Sequence, residues 1–223
     1  MPDGQYSFYL HSDDRTDIAA MATISTISQP LRGEFIRTAA TAGSVVYQVD
    51  ARLPALIPVF FAGQLSAVRL CAVMALVSGT WSSLAGLPDE PEGGEAALPV
   101  SPETEYQRRR YTLTLQHGRS GERVESVLTE SSSRLRGDLL RNLIITGLAL
   151  HTTAPELPRL LASMPVPPTS VSELQALVQQ MAGSAGVSRA AAAVADTPAT
   201  SAVPVSGSDT REIKKNMRRA FGD

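Results

Sequence analysis

The feature that most constrains this chain is a repeat inside it. Arg32-Gly33-Glu34-Phe35-Ile36-Arg37 returns 104 residues later as Arg136-Gly137-Asp138-Leu139-Leu140-Arg141. The register runs on without a gap. Gly43 meets Gly147, Leu53-Pro54 meets Leu157-Pro158, and Leu56 meets Leu160. Seven of 26 aligned residues are identical, where ordinary composition gives about two. A shorter match lies upstream of each copy: Tyr6-Ser7-Phe8-Tyr9-Leu10-His11 parallels Tyr111-Thr112-Leu113-Thr114-Leu115-Gln116. A chain made of two copies of one unit has two copies of the same apolar face to cover.

Each copy reads as strand, helix, break, helix. In the upstream segments apolar residues alternate at period two, Tyr6, Phe8 and Leu10 in one and Tyr111, Leu113 and Leu115 in the other, which predicts half-buried strands. A helix follows each. Asp13 or Asp14 is placed to cap the first, and Ile18, Met21, Ile24 and Ile27 recur along it. Ser120 is placed to cap the second, with Val124, Val127, Leu128 and Ser131 on one face. Gln29-Pro30 and the stretch Ser131–Arg134 break the pattern. A longer helix comes next, lined by Ile36, Ala39, Gly43 and Val46 in one copy and by Leu140, Leu143, Gly147 and Leu150 in the other. Glycine inside a helix costs about 1 kcal/mol against alanine. A close helix–helix crossing at the shared glycine would offset that.

One short strand cannot satisfy its own edges, whereas two can pair. The fold expected is mainly α: a tandem ribbon-helix-helix, with two short strands forming an antiparallel ribbon over a helical bundle. One chain then forms an intrachain pseudo-dimer. The division expected is a first unit with an extra helix over 1–87, a linker rich in Pro, Gly and Glu over 88–105, and a second unit with an extra helix over 106–183. Residues 169–183, with Val171, Leu174, Leu177, Val178 and Met181, read as an amphipathic helix whose counterpart lies in 60–79. A low-complexity Ala/Ser/Thr/Val/Pro stretch over 184–208 reads as a disordered linker. The tail 209–223 reads as a short terminal helix former, with Ile213, Met217 and Phe221 four residues apart.

Charge argues for a polyanionic partner through its distribution, not its sum. The net charge is −2. Yet Arg108, Arg109, Arg110, Arg119 and Arg123 crowd the middle, and Arg211, Lys214, Lys215, Arg218 and Arg219 close the chain. A two-stranded ribbon fits the major groove of DNA. With one strand face on the helices, the outward set is Gln5, Ser7, Tyr9 and His11 on one strand and Arg110, Thr112, Thr114 and Gln116 on the other. Arginine can pair with guanine and glutamine with adenine, and threonine packs on a thymine methyl. Arg32 and Arg136 open the second helix of each copy, where free amides favour phosphate. The two outward sets differ, so an asymmetric DNA site is expected.

Taken together, Arg32 through Arg37, Ala39-Ala40-Thr41-Ala42-Gly43, Tyr47, Asp50, Arg52 and Pro54 resemble the core helix of the ParR/StbB plasmid-partition (segregation) family. The second copy keeps Arg141, Thr146-Gly147-Leu148-Ala149-Leu150 and Pro158 of that pattern. The chain end, Asp209 to Phe221 with Lys214-Lys215-Asn216-Met217, resembles the family's C-terminal tail. The resemblance covers roughly 5–60, 108–165 and 209–221. It implies a centromere-binding adaptor that assembles on repeated sites in double-stranded DNA. It also implies repression of its own operon and, through Ile213, Lys214, Lys215, Met217 and Phe221, contact with an actin-like ATPase filament of the ParM type. The usual member carries one unit and dimerises; this chain carries two.

An enzyme is not expected. His11, His117 and His151 lack metal-ligand spacing, and there is one cysteine, Cys71, in an apolar stretch. No phosphate-cradling glycine loop, nucleophile elbow or carboxylate pair stands out. Hence no cofactor or metal is expected. Arg69, Pro54, Pro58 and Gln64 interrupt the apolar region 53–87, so packed helices are read there in place of a membrane span. The N-terminal residues lack a basic segment followed by an apolar run, and a cytoplasmic location is expected. Competing readings are a transcription repressor or conjugation relaxosome accessory with tandem ribbon-helix-helix units, or an antitoxin-like module that binds only protein.

Overall fold

A computed structural model describes residues 4–80 and 107–195, with side chains to residue 183. The two predicted strands pair with each other. β1 (Gln5–His11) and β2 (Arg108–Thr114) form a two-stranded antiparallel sheet, with Gln5 opposite Thr114, Ser7 opposite Thr112 and His11 opposite Arg108. Alternation sets the register. Phe8, Leu10, Leu113 and Leu115 are buried, and Phe8 stacks on its cross-strand partner Tyr111 at 5.2 Å. A one-residue slip would turn all of them to solvent. Placing Tyr6 on Tyr111 makes Thr112 the counterpart of Ser7, and these two residues face each other. A pseudo-two-fold axis therefore passes through the middle of the ribbon.

Helices follow each strand in the same order. After β1 come α1 (Arg15–Ser25), α2 (Arg32–Val49), α3 (Leu53–Phe60) and α4 (Ala67–Ser78). After β2 come α5 (Arg119–Glu130), α6 (Arg136–Thr153), α7 (Leu157–Ser163) and α8 (Val171–Ala195). Each helix starts 104 residues before its counterpart. A 3-10 turn at Gln29–Leu31, with Pro30 fixing the backbone, fills the break before α2. Pro54 and Pro158 sit in the first turns of α3 and α7, where a missing N–H costs nothing.

The long helices α2 and α6 cross at the shared glycines. A Cβ on Gly43 would strike the carbonyl of Leu143, and one on Gly147 would strike the carbonyl of Ala39. Ala39 and Leu143 are themselves counterparts, so the contact is reciprocal, as in a two-fold dimer interface. The third helices change sides: α3 packs chiefly on α6, and α7 on α2. Thr153 at the end of α6 donates to the carbonyl of Leu65, in the loop just before α4, at 2.7 Å. Leu53, Ile57, Leu143, Leu148, Leu157 and Leu161 are fully buried in the resulting core.

Three local expectations are corrected. Ser120 does not cap α5. The N-cap is Gly118, at φ 128°, with no side-chain cap, and Ser120 lies inside the first turn, donating to the carbonyl of Ala162 at 3.3 Å. The helix starts earlier than expected because glycine alone tolerates that backbone. The low-complexity stretch does not become irregular at 184: α8 runs to Ala195, carried by Ala190–Ala193, the best helix-forming residues. Ile27 lies past the end of α1. As expected, Leu174 and Val178 of α8 are fully buried and Cys71 on α4 is buried. Burial pushes the Cys71 thiol up, partly offset by a hydrogen bond with Gln179.

The chain divides into two compact bodies, Met1–Gly186 and Val187–Asp223, of which the latter is described only through the end of α8. The 88–105 linker, the rest of 184–208 and the tail, with Ile213, Lys214, Lys215, Met217 and Phe221, lie outside the described residues. Among the described residues, no helix is long and apolar enough to cross a membrane.

Candidate nucleic-acid interface

The outward face of the ribbon gathers seven of the eight residues expected there. Gln5, Ser7, Tyr9 and His11 alternate along β1, and Arg110, Thr112 and Thr114 along β2. In register they stand as Gln5–Thr114, Ser7–Thr112 and Tyr9–Arg110. Gln5, Arg110, Thr112 and Thr114 are exposed, and the others are half-exposed. Arg110 is held: its Nε and Nη2 donate to Ser7 Oγ at 3.2 and 3.0 Å.

Gln116 is not on the ribbon. β2 ends at Thr114, and Leu115 N makes one more bond, to the carbonyl of Gly4 at 3.1 Å. The chain then turns into α5, and the carbonyl of Gln116 packs so closely on Gly121 that a side chain there would collide with it. In its place the ribbon carries Arg108, which period-two counting from Tyr111 stopped short of. Arg108 faces His11, and its guanidinium lies 3.5 Å from the centroid of the Tyr9 ring. Antiparallel pairing with His11 was the signal that could have found it.

The N-terminus of α6 lies beside the ribbon: a Cβ on Gly137 would be 3.5 Å from the carbonyl of Ser7. Leu31 and Leu135, the N-cap residues of α2 and α6, make no side-chain cap and are 57% exposed. The arginines that follow them are turned the other way. Arg32 Nε donates to the carbonyl of Ile27 at 2.8 Å, and its Nη2 to that of Ser25 at 3.2 Å. Arg136 Nε donates to the carbonyls of Leu128 at 3.0 Å and Ser131 at 3.3 Å. The closing carbonyls of α1 and α5 lack intrahelical partners, and a cation is favourable at a helix C-terminus and unfavourable at its N-terminus. The same tie, made twice, joins the first helix of each unit to its second.

A buried carboxylate locks one end of the assembly. Asp17, fully buried on α1, accepts from His11 N at 2.9 Å and from Arg141 Nε at 2.7 Å. Asp14, the N-cap of α1, accepts from Arg141 Nη2 at 3.1 Å. Burial raises the Asp17 carboxyl above its ordinary range, opposed by Arg141 and the His11 amide. The second unit has Gly118 and Gly121 at the matching positions. Arg37, the counterpart of Arg141, instead lines an open hollow of about 250 Å³ with Thr38, Arg119 and Ser120.

The sheet, its register and the duplicated helix set now stand beside an independent likeness. The model of the plasmid stability protein family, Plasmid_stab_B, matches the chain twice, over residues 4–74 and 109–178. The chain belongs to this plasmid stability family. The two matches start 105 and end 104 residues apart, the offsets that relate the strands and the helices. The family unit is thus one strand with the helices that follow it. Membership places the chain in plasmid maintenance. No curated protein and no solved structure matches it. Among the described residues, no group of three His, Cys, Asp or Glu could hold a metal ion.

Proposed function

We propose that this plasmid stability protein is a sequence-specific DNA-binding adaptor of the ParR/StbB type, built as a tandem ribbon-helix-helix protein. The observation that carries the reading is the ribbon's outward face, whose in-register polar pairs Gln5–Thr114, Ser7–Thr112 and Tyr9–Arg110 have the donors and acceptors that base edges require. The ribbon enters the major groove of double-stranded DNA. The open N-termini of α2 and α6 hold the flanking phosphates through their free backbone amides. Copies assemble on repeated centromere-like sites. The same binding represses the protein's own operon.

In this reading the tail makes the second contact. Ile213, Met217 and Phe221 fold as a short helix against a groove on an actin-like ParM-type filament, with Lys214 and Lys215 alongside. The chain carries no catalysis and no cofactor, and acts in the cytoplasm. The test uses the DNA flanking the protein's own gene, the full chain, a version ending at residue 208, and any ATPase encoded beside it. Both versions should bind the DNA, and only the full chain should engage the filament. DNA binding without filament engagement by either version favours a repressor or relaxosome accessory. No DNA binding by either overturns the ribbon reading.

A further inference from the structure

We infer that the ribbon is an oriented reader, with one end that selects guanine and one that does not, so that each molecule sits on its DNA in a single direction. This rests on the DNA-binding reading above and deepens it. The pseudo-two-fold axis passes through Ser7–Thr112 and divides the outward face into two halves. In a homodimer those halves would be identical. Here the pair Gln5–Thr114 on one side corresponds by the repeat to Arg110–Tyr9 on the other. One half presents an amide and a hydroxyl. The other presents Arg110 and, one step further out, Arg108 opposite His11.

The two arginines are also preorganised. Ser7 Oγ takes the Nε and one Nη2 hydrogen of Arg110, leaving Nη1 and the far side of Nη2 to reach outward. The Tyr9 ring supports Arg108 from beneath at 3.5 Å. A held guanidinium loses less freedom on binding than a loose one, and its planar fork matches guanine O6 and N7. Beneath the same end, Asp14 and Asp17 are occupied by Arg141. They are therefore not competitors for Arg108 or Arg110. At the opposite end the nearby arginines, Arg37 and Arg119, line the hollow off the ribbon. No base-reading cation stands there among the described residues.

The experiment is selection of the full-length protein on duplexes with a randomised core, followed by affinity measurements on the selected duplex. The consensus should be non-palindromic, with guanine concentrated in one half. Replacing those guanines by adenine should weaken the wild type by about 5- to 150-fold, the range of a good bidentate contact. Arg110→Gln and Arg108→Gln, both at exposed positions, should reduce that discrimination to under about threefold. They should leave discrimination in the other half as it was. A palindromic consensus, guanine spread equally over both halves, or no consensus overturns the orientation while duplex binding persists. Absence of duplex binding overturns the DNA-binding reading and this inference together.

Discussion

Two glycines do work that no other residue could do in their place. Gly43 and Gly147 sit where α2 and α6 touch backbone to backbone, so a methyl group would collide with a carbonyl that is fixed in its own helix. Gly147→Ala should therefore cost about 3 kcal/mol or more, the upper range for overpacking a core. Gly33→Ala, whose new methyl would meet only an Arg37 side-chain nitrogen at 3.8 Å, should stay within about 1 kcal/mol of wild type. Urea denaturation of the two variants checks this, and equal stability would remove the crossing argument. Asp17 supports a second residue-scale prediction. Burial raises its folded pKa, so the native state holds the proton more tightly than the unfolded chain. The contribution of this group is then largest below the unfolded pKa and declines as pH rises through the raised folded value. Asp17→Asn cannot titrate. The difference in Tm between wild type and variant, followed from pH 3 to 7, should move against wild type with rising pH. A difference that is flat or of opposite sign would show that Arg141, not burial, dominates.

At the scale of elements, the arginines at the start of α2 and α6 have a role separable from DNA. Arg32 closes the end of α1 through Nη2, and Arg136 closes that of α5 through Nε, the latter a contact lysine cannot reproduce because it has no Nε–H. Arg136→Lys keeps the charge and should cost about 1 kcal/mol in stability, a typical net hydrogen-bond contribution. It should leave the salt dependence of DNA binding unchanged. A loss of binding with stability intact would reverse the assignment. Much of the element pattern is legible in the sequence. Alternation placed Tyr6, Phe8 and Leu10 inward, and spacing placed Ile36, Ala39, Gly43 and Val46 on the buried side of α2, because burial is what writes those periods. Other features were not legible, because they depend on contacts distant in sequence. The direction of Arg32 follows from where α1 ends. The place of Gln116 follows from where β1 begins. Gly118 serves as the α5 N-cap by backbone freedom, which leaves no polar signature. The reach of α8 to Ala195 was hidden by a composition that suits both a linker and a helix.

For the whole molecule, the exchange of third helices is the deciding fact. α3 rests mainly on the second repeat and α7 mainly on the first, so neither repeat carries a closed core of its own. The reciprocal glycine crossing and the shared ribbon add to this: each strand's only hydrogen-bonded neighbour among the described residues belongs to the other repeat. Residues 4–80 alone would expose Leu53, Ile57 and the α6-facing side of α2 together with an unpaired strand edge. The full chain should therefore unfold in one transition, with ribbon and helix signals coinciding. A fragment spanning residues 107–186 should be unfolded when dilute, or should fold only as a concentration-dependent dimer that rebuilds the missing half from a second copy. Circular dichroism and sedimentation of that fragment over a hundredfold range of concentration would decide it. A stably folded monomer would mean that each repeat is a domain in its own right. The chain would then be two readers on a tether, and the fixed half-site geometry argued from the ribbon would no longer hold.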